Sequence, residues 1–421
     1  MSEYGILFLS GLDFKEKSIQ VIRKTPEAFF KSGWKVYYAT VRDNSKYGDY
    51  YYEKEINPFG IKIIRKYRML TKYRDKLYKI SKIASTAISK IDSWLTIIRL
   101  AFIGYSILKK NRNIKVVYGY ELQGILALLL LDKLGFLHGK IRVSRFQGTY
   151  YYYYYLKNHN LVKLILNFDN YIALKYKTDL CIMTNDGTEG DWVLKKIHSK
   201  NIINLRFWVN GVDNINISSR IKSQIRKSLL NNENSYILMT ICRLVPWKRL
   251  DRAIEIMAYL KHDLLIDSFK YVIIGDGPEK NNLMMLANKL SVNKEIIFLG
   301  AINNNEISNY LSAADIYIST YDVSNVGNPL LEAIRSKKII FTLNNGRTSD
   351  WIIHGVNGFI YDINDDLIKN MANDIYKLFY NKKLKNEIFK NIRNTEKERL
   401  WTWEERLSKE VENITFLVNK K

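Results

Sequence analysis

The sequence predicts an α/β chain built from two doubly wound, Rossmann-like domains. Short apolar runs that read as buried strands alternate with helical periodicity along nearly all of the 421 residues. The alternation pauses once, at a polar stretch after residue 209, and then resumes. A chain of this length is also too long for one average core. Strands separated by helices imply right-handed crossovers and parallel sheets.

Residues 4–9 read as the first buried strand, with Gly11 in the loop after it, 20–31 as a helix stopped by Gly33, and 35–40 as the next strand. Runs at 61–64, 116–118, 141–146, 180–183 and 202–205 continue the pattern, so 1–209 forms the first domain. Asn210-Gly211-Val212-Asp213 gives a turn signal, and the lysine- and asparagine-rich stretch of 210–234 reads as a linker. Strands at 236–241, 271–274, 296–299, 315–319 and 338–343 make 235–400 the second domain. Residues 401–419 read as an amphipathic helix that can pack back on the first domain.

An apolar content of 47% is that of a globular protein. The two cysteines, Cys181 and Cys242, sit inside apolar runs, which indicates buried strand residues and a reducing compartment rather than a disulfide framework. The N-terminal stretch has no basic n-region and does not read as a signal peptide. The longest apolar candidate, 91–108, is broken by Asp92 and Arg99, so no membrane span is expected. The expectation is a cytoplasmic protein, peripheral on the inner face of the cell membrane.

The net charge is +24, and residues 62–115 hold ten lysines and five arginines against Asp75 and Asp92, a local charge of +13. Such a block attracts a polyanion. From 67 to 111 the basic residues interleave with aromatics and isoleucines at helical spacing. An amphipathic basic helix of this kind suits an anionic membrane surface, with Lys72, Arg74 and Lys76 near lipid phosphates, although its apolar face can equally pack on the domain. Nucleic acid is not an expected partner, since charge comes with no recognised binding module. Six tyrosines, Tyr150 to Tyr155, follow a strand and Gln147-Gly148. Ligands bind beyond the carboxyl ends of such strands, which makes Tyr150 a candidate acceptor contact; packing at a helix start is the competing role.

The chemistry concentrates in 319–332, Ser-Thr-Tyr-Asp-Val-Ser-Asn-Val-Gly-Asn-Pro-Leu-Leu-Glu, where a strand ends, a polar loop turns and a helix starts. Pro329 suits a first helical turn, and the unpaired N–H groups there form an anion site. Glu332 lies about one turn in, placed to hydrogen-bond a hydroxylated group beside the anion. Phosphate and ribose together are the needs of a nucleotide, while an ordinary helix start with a favourable charge has the same pattern. Arg243 closes the first strand of the second domain, and Lys248 opens a helix, 248–260, whose Leu250, Ile254, Met257 and Leu260 face inward. Two cations beside a helix terminus make a diphosphate site. Gly275-Asp276-Gly277-Pro278 lacks the third glycine of a dinucleotide fingerprint and reads as a loop lining the same crevice. No Asp-x-Asp triplet and no His/Cys cluster of ligand spacing occurs, so neither metal nor cofactor is expected.

The series NGVD (210–213), Arg243 with Lys248, IIGDGP (273–278), FLG (298–300), GNPLLEA (327–333) and HGVNGF (354–359) resembles the retaining glycosyltransferase family 4, of GT-B fold. The similarity is continuous from about 210 to 361 and mostly architectural before that. The resemblance implies a nucleotide-sugar donor on the second domain, an acceptor on the first and reaction in the cleft that the two domains face. By position, Arg243 and Lys248 neutralise the donor diphosphate and Glu332 binds the ribose hydroxyls. The loop and helix start at Ser324, Asn325, Val326, Gly327 and Asn328, with Gly11, Gly275 and Asp276, complete the donor site. The family's pair of glutamates eight residues apart is broken here, since Ser324 holds the first place with Asp322 two residues earlier. Its first-domain histidine is also missing, and Glu121 stands there instead as a carboxylate for the acceptor hydroxyl or a cationic sugar.

The resulting expectation is a metal-independent, retaining transfer of a hexose from a nucleoside-diphosphate sugar to a membrane-associated, lipid-linked glycan. A nucleotide-sugar epimerase or an inverting transferase on the same scaffold is disfavoured by the spacing of Arg243 and Lys248. A non-catalytic nucleotide-sugar-binding or scaffold protein is the alternative to which the Ser324 departure points.

Overall fold

Every strand pairs in parallel with its neighbours, and the strands fall into two sheets. The computed structural model describes all residues except 1–3, 15–19, 44–53, 199–203, 216, 231, 233 and 324. The first unit comprises 1–185, 190–209 and 403–421, and the second 186–189 and 210–402.

The strands of the first unit are β1 (Gly5–Ser10), β2 (Lys35–Arg42), β3 (Ile61–Tyr67), β4 (Ile114–Tyr120), β5 (Ile141–Phe146), β6 (Leu180–Thr184) and β7 (Leu205–Trp208), ordered β3-β2-β1-β4-β5-β6-β7. The second unit has β8 (Tyr236–Ile241), β9 (Phe269–Ile274), β10 (Ile296–Gly300), β11 (Ile316–Ser319), β12 (Ile339–Leu343) and β13 (Phe359–Tyr361), ordered β10-β9-β8-β11-β12-β13. β1, β6 and β12 are buried along their whole length, which explains their unbroken apolar runs: helices cover both faces of a parallel sheet. The strand order reverses between β1 and β4 and between β8 and β11. These are the switch points at which loops diverge and doubly wound sheets bind ligands.

The helix Trp403–Lys420 belongs to the first unit, where Trp403, Leu407 and Ile414 share a core with Phe8, Tyr38, Tyr118 and Ile182. Beneath it the Tyr118 hydroxyl donates to Glu410 at 2.6 Å, and the Arg406 guanidinium donates to the same carboxylate at 2.9 Å. Arg145, 1% exposed on β5, adds a second buried cation to this group. Burial pushes the Arg406 guanidinium down to about 10.

Three expectations need correction. The stretch 210–234 is not a bare linker, because Ser219–Leu229 is a helix, capped by the Ser218 hydroxyl accepting from the Ile221 amide. Arg226 ties that helix to the second unit through a 2.9 Å ion pair with Asp315 and a 2.8 Å bond to the Ala313 carbonyl. The strand expected at 202–205 is Leu205–Trp208; residues before 204 lie outside those described. Lys248 does not open a helix: Pro246–Lys248 is a 3-10 turn, Arg249 takes a left-handed conformation (φ 45°), and the helix runs Leu250–His262. The short β13 was not anticipated.

The basic interval forms two helices, Thr71–Tyr78 and Lys82–Lys110. By length and composition the second could cross a membrane, with a mean hydropathy of 1.4 over its most apolar window, yet half of that window is buried in the protein. Its inner face carries Ile97, Leu100, Ile103 and Ile107. Asp92 is fully buried because its Oδ1 accepts from the Met69 and Leu70 amides at 3.1 and 3.0 Å, fixing the turn into the preceding helix. A carboxylate in an apolar helix here serves the fold.

Candidate functional site

At the second switch point, β11 leads into a loop and then the helix Asn328–Arg335. Gly327 is its N-cap and Pro329 occupies the first turn, so an end of unpaired N–H groups faces the loop as the residue types require. The loop is held rigid from within. Asn325 donates to the Tyr321 carbonyl at 2.8 Å and to Asn345 Oδ1 at 2.7 Å, and Asn345 donates back to the Tyr321 carbonyl at 2.8 Å. Asn325 and Val326 are thus buried, and the Asn325 side chain braces the loop from within. Asn328 Oδ1 accepts a 2.9 Å bond from Asn210, so the NGVD and GNP motifs meet. Ser324 lies outside the described residues.

Glu332 is half-buried, and among the described residues no side chain or backbone group pairs with its carboxylate. Burial alone pushes it up to about 7. A reachable, unsatisfied carboxyl group in apolar surroundings is costly for the fold and suited to a hydroxylated ligand.

Lys248 has the complementary character. Its ammonium stands 3.7 Å from the Tyr321 ring centroid and 4.2 Å from that of Trp247, and among the described residues no carboxylate forms an ion pair with it. Burial pushes it down to about 8, with Arg243 adding like-charge repulsion and Cys242 and Asp186 opposing. Tyr321 and Tyr317, whose hydroxyls are 3.4 Å apart, join the two halves of the site, since Tyr317 also feels the Glu332 charge. Arg243 is exposed in the loop after β8. Asp186, buried and held by the Thr188 amide and hydroxyl at 3.0 and 2.6 Å, is pushed up to about 6 by burial.

The Asp322 carboxylate, two residues before position 324, pairs with Arg252 at 2.7 Å. Gly275 (φ 137°) closes the loop after β9 onto β8; any Cβ there would stand 1.8 Å from the Cys242 carbonyl oxygen. Asp276 is exposed and its carboxylate accepts from the Gly277 amide at 2.8 Å. Trp247, Tyr321, Asn345 and the 186–188 loop were missed. Trp247 beside Lys248 was a usable signal, but nothing local joins Tyr321 to it.

The first unit has a polar site at its own switch point. Gly11 abuts Gln123, whose Oε1 would lie 3.0 Å from a Cβ at position 11. Glu121 begins the helix Glu121–Lys133 in a left-handed conformation (φ 55°), a strained choice for glutamate, and its carboxylate accepts from the Gln147 amide. It lines a cavity of about 670 Å³ with Gln123, Ser93, Lys90, Arg74 and Asp169. Lys72 and Lys76 are exposed, but Arg74 turns inward to Asp43 at 2.6 Å and Asp75 at 3.3 Å, so it is not the lipid-facing cation expected. Tyr150 starts the helix Tyr150–Lys157, and its side chain is outside what is described; Tyr152 and Tyr153 are buried. Among the described residues no group of three or more His, Cys, Asp or Glu is placed to hold a metal ion.

Residues 221–395 match the family of glycosyl transferases group 1. That stretch lies within the second unit and is less than half of the chain. The match covers Arg243, Lys248 and Glu332, while the Glu121 site lies outside it. The chain is 25% identical over 236 residues to the UDP-Gal:alpha-D-GlcNAc-diphosphoundecaprenol alpha-1,3-galactosyltransferase of Escherichia coli, covering 55% of this chain and 59% of that one. It is 23% identical over 138 residues to the alpha-monoglucosyldiacylglycerol synthase of Acholeplasma laidlawii, covering 33% of this chain and 34% of that one. The matched stretches thus span between a third and three fifths of these relatives. HepE from Anabaena, crystallised in complex with UDP, superposes over 100% of both chains with a TM-score of 0.68 and 15% identity. That likeness establishes the GT-B fold of two doubly wound units.

Proposed function

We propose that this chain is a metal-independent, retaining glycosyltransferase that moves a hexose from a nucleoside-diphosphate sugar to a lipid-linked glycan. The carrying observation is the pairing, at one switch point, of an unneutralised ammonium with an unsatisfied carboxyl group. Lys248, with Arg243, takes the diphosphate and the charge that grows on it as the sugar leaves; the amides at the start of the helix Asn328–Arg335 take phosphate oxygens; Glu332 takes the ribose hydroxyls. The rings under Lys248 hold the charge in place without cancelling it.

The acceptor reading rests on the first unit. Exposed apolar residues lie close in the chain to residues lining the 670 Å³ polar cavity: Ile83, 85% exposed, is one helical turn before Thr86, and Ile165, 73% exposed, and Leu166 come just before Asn167. A polar pocket with such apolar residues close to its lining suits a ligand with a glycan head and a lipid tail, presented at a membrane of the cytoplasmic face. Both curated relatives described above are named for lipid-bearing acceptors or products, which supports the same class.

The test is donor binding and hydrolysis across a panel of nucleoside-diphosphate sugars in EDTA, with Lys248→Ala and Glu332→Ala beside the native protein. Selective binding and slow hydrolysis of one donor, lost in both variants, is the expected result. Binding without turnover in the presence of membrane extract points to a non-catalytic donor-binding protein, and no binding by the native protein rejects the site.

A further inference from the structure

On the other flank of the helix Lys82–Lys110, its C-terminal half and the edge strand β3 enclose a groove of about 730 Å³. Its floor is apolar, with Ile63, Ile103 and Ile107. Its rim carries four cations, Lys62, Lys66, Arg99 and Lys110, and no carboxylate lines it. Among the described residues none of the four forms an ion pair. Lys62 rests 5.5 Å from the Tyr37 ring centroid, and Arg99 donates to the Tyr67 carbonyl at 2.8 Å. Four like charges around an apolar slot repel one another, and no carboxylate among the described residues neutralises them.

The groove opens onto an apolar stripe. Ile91, Trp94, Ile98 and Phe102 follow one another at helical spacing on the outer face of the same helix, all exposed, and Phe102, 70% exposed, also lines the groove. Cations above an apolar slot, continuous with an exposed apolar stripe, match a ligand that joins a phosphate to hydrocarbon.

We infer that this groove docks an anionic membrane phospholipid, with its phosphate among Lys62, Lys66, Arg99 and Lys110 and its acyl region along Phe102 and Ile107. The groove shares no lining residue with the 670 Å³ cavity, so it is a lipid site separate from the proposed acceptor site. It stands whether or not the donor reading does.

The experiment is vesicle co-flotation of the full chain, using phosphatidylcholine alone and an equimolar mixture with phosphatidylglycerol. Lys62→Glu/Lys66→Glu is compared with Lys289→Glu/Lys294→Glu, an equal charge change on exposed lysines of the second unit. The native protein and the second-unit variant should float with phosphatidylglycerol vesicles and far less with phosphatidylcholine, while the β3 variant binds roughly tenfold or more weakly at an unchanged melting temperature. Phe102→Ser should weaken binding several-fold. Equal losses in the two double variants would reduce the effect to general charge, and undiminished flotation of the β3 variant, or equal binding of both vesicle types, overturns the groove outright. A β3 variant with a lowered melting temperature passes the decision to Phe102→Ser and Lys110→Glu, read in the same way.

Discussion

The Asn210 side-chain amide donates to Asn328 Oδ1 at 2.9 Å, joining the start of the second unit to the first residue of the helix Asn328–Arg335. Asn210 is buried, so the bond is shielded from water. Asn210→Ala should loosen the helix start. With about 1 kcal/mol for such a bond, donor affinity should fall roughly fivefold, read by calorimetry. An unchanged affinity would mean that the helix start holds itself.

Lys248 supplies a pH signature. Its ammonium, pushed down to about 8, loses its proton in the free protein within the assay range, whereas a bound diphosphate retains it. Donor affinity should therefore decline as pH rises above about 8, with proton uptake on binding visible in buffers of different ionisation enthalpy. Between about 8 and the ordinary lysine value the unfolded chain binds more protons than the native one, so native stability should rise over the same range. Lys248→Met should abolish both dependences and lower affinity roughly a hundredfold.

Glu332 predicts a trade between stability and binding. Its carboxyl, pushed up to about 7, keeps a proton in the native state that the unfolded chain has released above the ordinary glutamate range. Native stability should thus fall as pH rises from about 4.5 to 7. Glu332→Gln removes that loss, so its melting temperature should exceed the native value at pH 8 and converge with it near pH 4.5, while donor affinity drops tenfold or more. Parallel melting curves across the pH range would contradict this.

The buried charges under the last helix make a prediction about the fold alone. Glu410→Gln leaves Arg145 and Arg406 without their carboxylate and should destabilise the first unit by about 3–5 kcal/mol, as the loss of one partner from a buried ionic group does. Donor binding on the second unit should survive below the melting transition.

Glu121→Gln keeps the shape of the side chain but not its charge. If the first-unit cavity takes the acceptor, transfer should fall roughly a hundredfold with donor binding unchanged. A fall in donor binding instead would assign Glu121 to the donor.

The alternating strands and the GNPLLE helix were legible because punctuation and period agree locally: Gly327 caps, Pro329 starts, and Leu330 and Leu331 are buried. Glu332 could be placed for the same reason. The Ser219–Leu229 helix was hidden by its lysines, arginines and serines, although Ile221, Ile225 and Leu229 recur every fourth residue and betray it. The aromatic cage of Lys248 was beyond reach, since Tyr321 arrives in the loop after β11 and only the sheet brings that loop there. Arg74 was misjudged because Asp43, which neutralises it, lies far away in sequence.

Tyr118 on β4 waits for Glu410, 292 residues further along the chain. Everything between 210 and 402 belongs to the second unit, which is therefore contiguous apart from the 186–189 loop, while the first needs its final helix to cover Phe8, Tyr38 and Tyr118. During synthesis the part encoded later has its contacts available sooner. The nascent first unit must remain an unfinished sheet, with its aromatic face open, until Trp403 to Ile414 have left the ribosome, and that interval is when this chain most needs a chaperone.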